Sequence, residues 1–263
     1  SGFIVLVATK ARVKLYNIGM TKLITMSDIP GIKHCKVARF SNGGQYFACS
    51  SGITNIVIYS TFQSQHLHTL VGHIAFVRGL DWSADDSKLY SVGADGGTYL
   101  SLSLSLFSLS IHTHTPTHLN HIIGVYGWRT SDGKRDSEMV VKNCRFTDVV
   151  TSRDGSTAAM VGDDGRMHYR VGDEYYSFEC GDGLIVNSLV LPKCETYIVT
   201  GMSNGAIRVY PWPLPRMSNV MPGVISEIHL HSNAVTNLRI SIDQKYLFSA
   251  SKKGVLMVSA VKQ

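Results

Sequence analysis

The stretch GHIAFVRGLDWSADDSKLYSVGADGG, residues 72–97, contains one complete structural unit of this chain. A Gly-His pair comes first, and the apolar run Val77–Trp82 leads into a polar turn at residues 84–86. The run Lys88–Gly93 follows and ends in a glycine-rich hairpin at residues 94–97. Apolar and polar residues alternate within these runs, a period of two that indicates strands rather than helices. The stretch therefore predicts short antiparallel strands joined by tight turns.

Comparable units recur through the 263 residues of the chain. The strands that end these units begin at Val13, Ile56, Thr98, Met167, Ile207 and Leu256. Successive starts lie 43, 42, 69, 40 and 49 residues apart. One four-stranded propeller blade has about 40–45 residues. A single blade would leave both faces of its sheet exposed, so the repetition indicates blades stacked side by side around one axis.

We therefore predict an all-β propeller that forms one domain over residues 1–263, with about five full blades after a partial first blade. The segments assigned to blades are approximately 1–18, 30–61, 72–130, 138–171, 181–212 and 228–261. The chain opens inside a strand-like run without an initiator methionine, which suggests a fragment of a longer protein. An open ring exposes strand edges, so we expect such a fragment to be poorly soluble.

Residues 101–127, SLSLSLFSLSIHTHTPTHLNHIIGVYG, break the repeat. Their length of 27 residues equals the excess in the long spacing, and their removal joins Leu100 to Trp128. Alternating Ser-Leu and His-Thr are what TC and CA dinucleotide repeats encode. We hypothesise that this insert is an in-frame intron retained in the coding sequence, with a disordered surface loop as the alternative.

Four histidines in the insert suggest a metal site as a further alternative: His112, His114, His118 and His121. Imidazole is a good zinc ligand. However, neither a cysteine nor a carboxylate lies nearby to complete the site or to orient the rings. We therefore predict that the chain binds no metal.

The complete unit resembles a WD repeat, through its Gly-His pair at 72–73, its Asp-Gly pair at 95–96 and the displaced Trp128. In that family a histidine, a serine, an aspartate and a tryptophan form a hydrogen-bonded set that locks the blade. The resemblance implies this structural role, and no catalytic one, for His73, Ser91, Asp95 and Trp128. It also implies a WD40-type propeller, a fold that commonly serves as a binding scaffold.

The other units depart from the WD pattern. The last one retains His231 and Ser249, but Lys253 stands where aspartate is expected and Ser259 where tryptophan is expected. The unit that contains Asp164 has no Gly-His pair. We expect these blades to depend on packing more than on the hydrogen-bonded set.

Further runs extend the resemblance to WD-repeat adaptors of motile cilia, which have two propellers followed by a long coiled coil. The runs that carry this resemblance are residues 40–48, 82–89, 133–135 and 213–215. They resemble the second of the two propellers in those adaptors. This resemblance implies an adaptor that helps dock or regulate inner dynein arms in the cytoskeleton of a cilium or flagellum. The implied partners are axonemal complexes, including inner dynein arm and regulatory components. Oligomerisation would use a coiled coil outside this chain.

Composition and motifs argue against other classes of function. The net charge of +6 comes from scattered Lys and Arg, which indicates a mildly basic surface rather than a nucleic-acid site. No apolar run approaches the ~20 residues of a membrane span. The five cysteines show no paired spacing and indicate reduced thiols of a cytosolic protein.

We find no phosphate loop, dinucleotide motif or nucleophile elbow, and we expect neither an enzyme nor a cofactor. The acidic pairs at 85–86 and 163–164 lie in expected turns, where Asp is common for structural reasons. Two alternatives stay open. One is a WD scaffold of a non-ciliary cytosolic complex in ubiquitin ligation, trafficking or RNA processing. The other is a propeller hydrolase or lyase, which the apolar inner strands disfavour.

Loops between the strands are the expected contact sites of such an adaptor, because they vary while the strands stay rigid. Segments 27–33, 175–182 and 213–222 are the candidates. The third is the widest, and its prolines would stiffen it before a partner binds. The candidate contact residues in it are Pro213, Pro215, Arg216, Met217 and Pro222.

Overall fold

The computed structural model describes residues 4–9, 11–19, 22–94, 122–142 and 144–261. Within these ranges it has 22 strands and no helix. The strands form six antiparallel sheets, blades 1–6, in which neighbouring strands follow the order of the chain. In the described part of the chain, no helix has the length and apolar character needed to cross a membrane.

Each blade is a contiguous part of the chain. Blade 1 consists of β1 (Ile4–Ala8), β2 (Arg12–Ile18) and β3 (Leu23–Pro30). Blade 2 consists of β4 (Ala38–Phe40), β5 (Tyr46–Ser51), β6 (Asn55–Ser60) and β7 (His66–Leu70). Blade 3 consists of β8 (Val77–Trp82), β9 (Lys88–Gly93), β10 (Ile122–Arg129) and β11 (Arg135–Lys142).

The remaining three blades follow the same plan. Blade 4 consists of β12 (Phe146–Thr151), β13 (Thr157–Gly162), β14 (Arg166–Val171) and β15 (Glu174–Glu179). Blade 5 consists of β16 (Val186–Val190), β17 (Tyr197–Met202), β18 (Ala206–Pro211) and β19 (Ser226–His229). Blade 6 consists of β20 (Val235–Ile240), β21 (Tyr246–Ser251) and β22 (Leu256–Ala260).

Side-chain hydrogen bonds shape the turn between the first and second strands of a blade. In blade 3, Ser83 Oγ donates to the Asp85 carboxylate at 2.6 Å and accepts from the Lys88 backbone N–H at 2.9 Å. Blade 6 repeats the pattern with Ser241 and Asp243. These bonds satisfy polar groups that the strands leave unpaired, and they set the length of the turn.

Apolar side chains collect between successive blades. Leu15 of blade 1 and Phe47 of blade 2 belong to one buried cluster, and Ile58 of blade 2 joins Trp128 of blade 3 in the next. Further clusters continue through blade 6. Full burial of one such side chain contributes about 1.5–3 kcal/mol, so stacking of the sheets stabilises every blade.

The outward faces of the first and last blades lack this cover. Leu23 and Ile24 of blade 1 are exposed, as are Leu256 and Val258 of blade 6. Among the described residues, no buried apolar cluster joins blade 6 to blade 1. The prediction of an all-β propeller with a partial first blade is confirmed. Of the five blades expected to be full, the first four have four strands and the last has three.

The structure corrects one boundary of the predicted insert. The prediction assigns residues 122–127 to it, yet they lie in β10, where all six pair with β11 and residues 125–127 also pair with β9. Tyr126 lies opposite Ser91 in the register. The repeat period fixed the length of the excess segment but not its position, since sliding it along the chain leaves the spacing unchanged. Residues 101–121 lie outside the described residues, and the hypothesis of a retained intron stays a prediction for them.

The blades also extend beyond the segments assigned to them from sequence. The predicted second blade ended at residue 61, whereas β7 adds residues 66–70 to the same sheet. Short and largely polar fourth strands such as SEIH at 226–229 carry little apolar alternation. Such strands gave no signal in the sequence pattern.

Candidate functional site

The predicted hydrogen-bonded set of blade 3 forms around Ser91. Its hydroxyl lies 2.8 Å from His73 Nε2 and accepts a hydrogen bond of 2.8 Å from Trp128 Nε1. All three residues are buried. A hydroxyl donates once and accepts twice, so Ser91 satisfies both rings. Asp95 lies outside the described residues, and its place in the set stays a prediction.

Tyr126 is a member of this site that the sequence analysis missed. Its ring packs edge-on against His73, with centroids 4.7 Å apart, and it is fully buried. The residue had been assigned to the insert, so its alignment with Ser91 could not be seen. The alternation of Tyr126 and Trp128 on one face of β10 is the signal that would have placed it.

Blade 6 contains half of the same arrangement. His231 Nε2 lies 2.8 Å from Ser249 Oγ. The other ring nitrogen, Nδ1, is buried and makes no hydrogen bond with a described residue. Lys253 occupies the position of Asp95 and offers no acceptor. The departure from the WD pattern therefore leaves a buried polar atom without a partner in this blade.

Blade 4 holds a different polar cluster, in which ligand atoms of Cys144, Asp164 and His168 lie within 4.8 Å of one another. His168 Nε2 contacts the Asp164 carboxylate at 2.7 Å, and Nδ1 contacts the Tyr175 hydroxyl. Both ring nitrogens are therefore occupied by the protein itself. The unit of Asp164 has no Gly-His pair, and no sequence pattern predicts that His168, on β14, contacts this carboxylate.

The electrostatics of this cluster do not favour nucleophilic catalysis. Burial raises the pKa of the Cys144 thiol well above its usual range, and Asp164 raises it further. Burial alone would raise the pKa of Asp164 too, but the hydrogen bond and charge of His168 hold it below its ordinary value. The thiol is therefore protonated at neutral pH, which is the unreactive form. The arrangement stabilises the hairpin of blade 4 as the His73 set stabilises blade 3.

A second unanticipated feature links the turns of neighbouring blades. The Asp86 carboxylate of blade 3 accepts backbone N–H bonds of 2.7 Å from Asn42 and Gly43 of blade 2. Glu195 of blade 5 accepts from the Arg153 N–H of blade 4. The Gln244 side chain of blade 6 accepts from the Cys194 N–H of blade 5 at 2.9 Å.

These three acceptors share one backbone conformation. Asp86, Glu195 and Gln244 have φ values of 58°, 50° and 60°, and each is the third residue after the one that opens its turn. Left-handed backbone at a non-glycine residue is uncommon and carries strain. Here it directs each side chain toward the preceding blade. From sequence, Asp86 had been explained only as a turn residue.

The wall of the central channel is more polar than the sequence analysis expected. Arg39 of blade 2 forms an ion pair of 3.1 Å with Asp81 of blade 3, which also accepts from the Thr151 N–H of blade 4 at 2.7 Å. Burial raises the pKa of Asp81, and Arg39 and Thr151 oppose that rise. Apolar residues of the inner strands, such as Leu80 on β8, pack between blades.

The candidate contact loop, residues 213–222, joins β18 to β19 of blade 5 but is attached to blade 4. Leu214 is buried, and the Pro215 carbonyl accepts from the Tyr169 hydroxyl. The Asn219 N–H donates to the Ser177 carbonyl on the edge of β15 at 2.7 Å. The loop is therefore held to its neighbour at several points.

The attached loop leaves an apolar surface exposed. Met217 is 63% exposed, and Val220, Met221 and Ile225 are exposed beside it. Arg216 and Pro213 are exposed too, whereas Pro215 and Pro222 are half-buried. The five predicted contact residues thus lie on one loop, and their role in binding stays a prediction.

Comparisons with known proteins agree with this architecture. The sequence profile of the family described as "WD40: WD domain, G-beta repeat" matches residues 64–100. The β-propeller domain of Myceliophteria thermophila Cps50 (Swd1), solved by crystallography, superposes with a TM-score of 0.68 at 15% identity. The superposition covers 88% of this chain and 66% of that one. This chain therefore has the WD40 β-propeller fold.

Longer sequence similarities are to ciliary proteins. The chain is 27% identical to cilia- and flagella-associated protein 57 of Mus musculus over 258 residues, which is 97% of this chain and 18% of that protein. It is also 27% identical to cilia- and flagella-associated protein 57 C of Tetrahymena thermophila, over 99% of this chain and 20% of that protein. The chain spans about a fifth of the length of these relatives.

A third relative matches over a shorter length. The 77 kDa echinoderm microtubule-associated protein of Lytechinus variegatus is 38% identical over 63 residues, 22% of this chain and 10% of that protein. The resemblance to WD-repeat proteins of cilia, first drawn from short runs, is thus confirmed over nearly the whole chain.

Proposed function

We propose that this chain is a protein-interaction scaffold of the axoneme in motile cilia or flagella, where it helps dock or regulate inner dynein arms. The observation that carries the proposal is similarity over nearly the whole chain to cilia- and flagella-associated protein 57 from a mammal and a ciliate. The partial match to a microtubule-associated protein supports a place on the cytoskeleton. The partners are axonemal proteins, and the whole protein oligomerises through a coiled coil beyond these residues.

The contact loop is the surface we assign to this role. Attachment at Leu214, Pro215 and Asn219 fixes its path, which lowers the entropy lost when a partner binds. Met217 and Met221 remain exposed at its tip. Methionine is unbranched and polarizable, and it adapts to apolar surfaces of different shape.

The chemistry of the polar clusters supports binding rather than catalysis. In blade 3, Ser91 lies within hydrogen-bonding distance of His73, but its hydroxyl also accepts a hydrogen bond from Trp128. All three residues are buried. In blade 4, the ring nitrogens of His168 bond to Asp164 and Tyr175 rather than activating a nucleophile. Within the described residues, both groups do structural work.

Retention of the tagged chain in axonemes tests the proposal. We expect the wild-type chain, expressed in multiciliated cells, to remain with axonemes after detergent extraction. The double variant Met217→Asp/Met221→Asp should be lost to the soluble fraction, because a charge cannot enter an apolar interface without a large desolvation cost.

The matched control is Ile53→Asp, which changes an exposed apolar residue in the hairpin of blade 2. It should leave retention unchanged. A wild-type chain that washes out of axonemes contradicts the ciliary role. A double variant retained like the wild type contradicts the assignment to the contact loop.

A further inference from the structure

One end of the central channel forms a cavity of about 210 Å³ beside the turns between first and second strands. Residues from blades 2–6 line it. Its charged lining residues are Arg39, Arg153, Lys193, Arg239, Asp81 and Glu195. Four cations therefore face two carboxylates in a small concave space.

Both carboxylates are already engaged by the protein. Asp81 bonds to Arg39 at 3.1 Å and to the N–H and hydroxyl of Thr151 at 2.7 and 3.0 Å. Glu195 accepts from the Arg153 backbone N–H. The lining of the cavity thus carries more cations than carboxylates.

Arg239 is a cation of this cavity that has no carboxylate bonded to it among the described residues. Its Nη1 donates to the Leu238 carbonyl at 2.7 Å, and it forms no ion pair with any residue that the structure describes. Loss of hydration and the charge of Arg39 lower the pKa of Arg239, while the nearby carboxylates of Asp148 and Asp81 oppose that fall. A guanidinium presents five donors, and the bond to Leu238 uses one donor of Arg239, which lines the cavity.

The structure contains a guide to what Arg239 would bind. Arg39 and Arg239 occupy the same position in their blades, each two residues before the serine that opens the turn, Ser41 or Ser241. The partner of Arg39 is a carboxylate, Asp81, held beside it by the next blade. A carboxylate delivered from the open side of blade 6 would meet Arg239 in the same way.

We propose that this channel mouth binds an acidic side chain carried on an extended segment of a partner protein. Arg239 makes the main contact, and Lys193 and Arg153 lie on either side of the entering segment. The cavity has room for one or two carboxylate side chains, not for the stacked bases of a nucleic acid. Lys and Arg elsewhere are scattered and form no track for a phosphate backbone. This inference rests on the proposed scaffold role and adds the chemistry of one partner.

Fluorescence anisotropy with a labelled oligoglutamate peptide and the purified chain tests the proposal. We expect saturable binding that weakens as ionic strength rises. Arg239→Gln should lower the affinity about tenfold or more, because a hydrogen bond to a charged group contributes about 1.5–3 kcal/mol. Arg239→Lys should retain part of the affinity, since it keeps the charge and loses the planar fork.

The matched control is Arg145→Gln, which removes the same charge from an exposed loop before β12. It should bind the peptide as the wild type does. Unfolding in urea checks that both glutamine variants are folded. We expect Arg239→Gln to unfold near the wild-type midpoint, because the substitution removes only the bond to the Leu238 carbonyl.

Three results would overturn the inference: no saturable binding, equal losses in Arg239→Gln and Arg145→Gln, or tighter binding of a matched phosphoserine peptide. The assay is independent of axonemal retention. Peptide binding by a chain that leaves axonemes would remove the ciliary role and keep the acidic-segment site. Retention in axonemes without peptide binding would keep the ciliary role and remove the acidic-segment site.

Discussion

Blades 3 and 6 share a histidine–serine bond of 2.8 Å and differ in the other residues that contact these two side chains. In blade 3, Trp128 adds a second bond to the same serine, and Tyr126 covers the histidine ring. In blade 6, Lys253 and Ser259 replace the residues expected there, and His231 Nδ1 is buried without an acceptor. The histidine–serine bond therefore survives the loss of the wider set. Among the described residues, what blade 3 adds is a second donor to the serine and an aromatic cover for the histidine.

Removal of the central serine should show this difference most strongly. Ser91→Ala takes a hydrogen bond from two buried rings, and we expect a loss of about 2–4 kcal/mol in the free energy of unfolding. Ser249→Ala affects one ring and should cost about 1–2 kcal/mol. Urea denaturation followed by circular dichroism measures both. Equal losses would show that Trp128 does not depend on the shared hydroxyl.

Restoring the missing acceptor should bring blade 6 closer to blade 3. We expect Lys253→Asp to stabilise the protein by about 1 kcal/mol, because a carboxylate at this position can accept from His231 Nδ1. Lys252→Asp makes the same change in charge one residue earlier and serves as the control. Thermal unfolding of the two variants distinguishes a specific bond from a general effect of charge. An equal gain in stability in both variants would show that the change in charge, and not a bond to His231 Nδ1, stabilises the protein.

The turns between the first and second strands of the two blades are alike. We expect acid to lower the stability of both turns, by less than the substitutions described above. Hydrogen bonds from Ser83 and Ser87 lower the pKa of Asp85 to about 2, and that of Asp243 is lowered by its bonds to Ser241 and the Lys245 N–H. A depressed pKa means that the stabilisation is complete above the ordinary value, near pH 4, and is lost as pH falls toward about 2.

Urea midpoints measured between about pH 5 and pH 2 follow this loss. Asp85→Asn should flatten part of the decline, because its amide does not titrate. Asp132→Asn, on the turn between β10 and β11, is the control. An unchanged slope in Asp85→Asn would mean that other carboxyl groups dominate the acid response.

The repeat spacing and strand alternation were enough to predict the fold, because each blade must bury both faces against copies of itself. They were not enough to place Tyr126. A period measures the length of an excess segment and leaves its boundaries free. Paired alternation across β9 and β10 resolves that position, and it becomes visible only when the register is known.

Contacts between blades were beyond the reach of the sequence for a different reason. Asp86 lies 44 residues from Asn42, and Asp81 lies 70 residues from Thr151. Each looks like an ordinary turn or strand residue in its own segment. The members of the predicted set in blade 3 could be found because a family pattern names them. No such pattern names His168, since it lies on β14 and not before the first strand of its blade, as His73 does.

The attachment of the contact loop to blade 4 has a mechanical consequence. The loop starts and ends in blade 5, yet Asn219 and Pro215 fasten it to its neighbour. A force applied at Met217 is therefore shared by two sheets instead of one. Such an anchor joins the two sheets through the loop without any covalent cross-link.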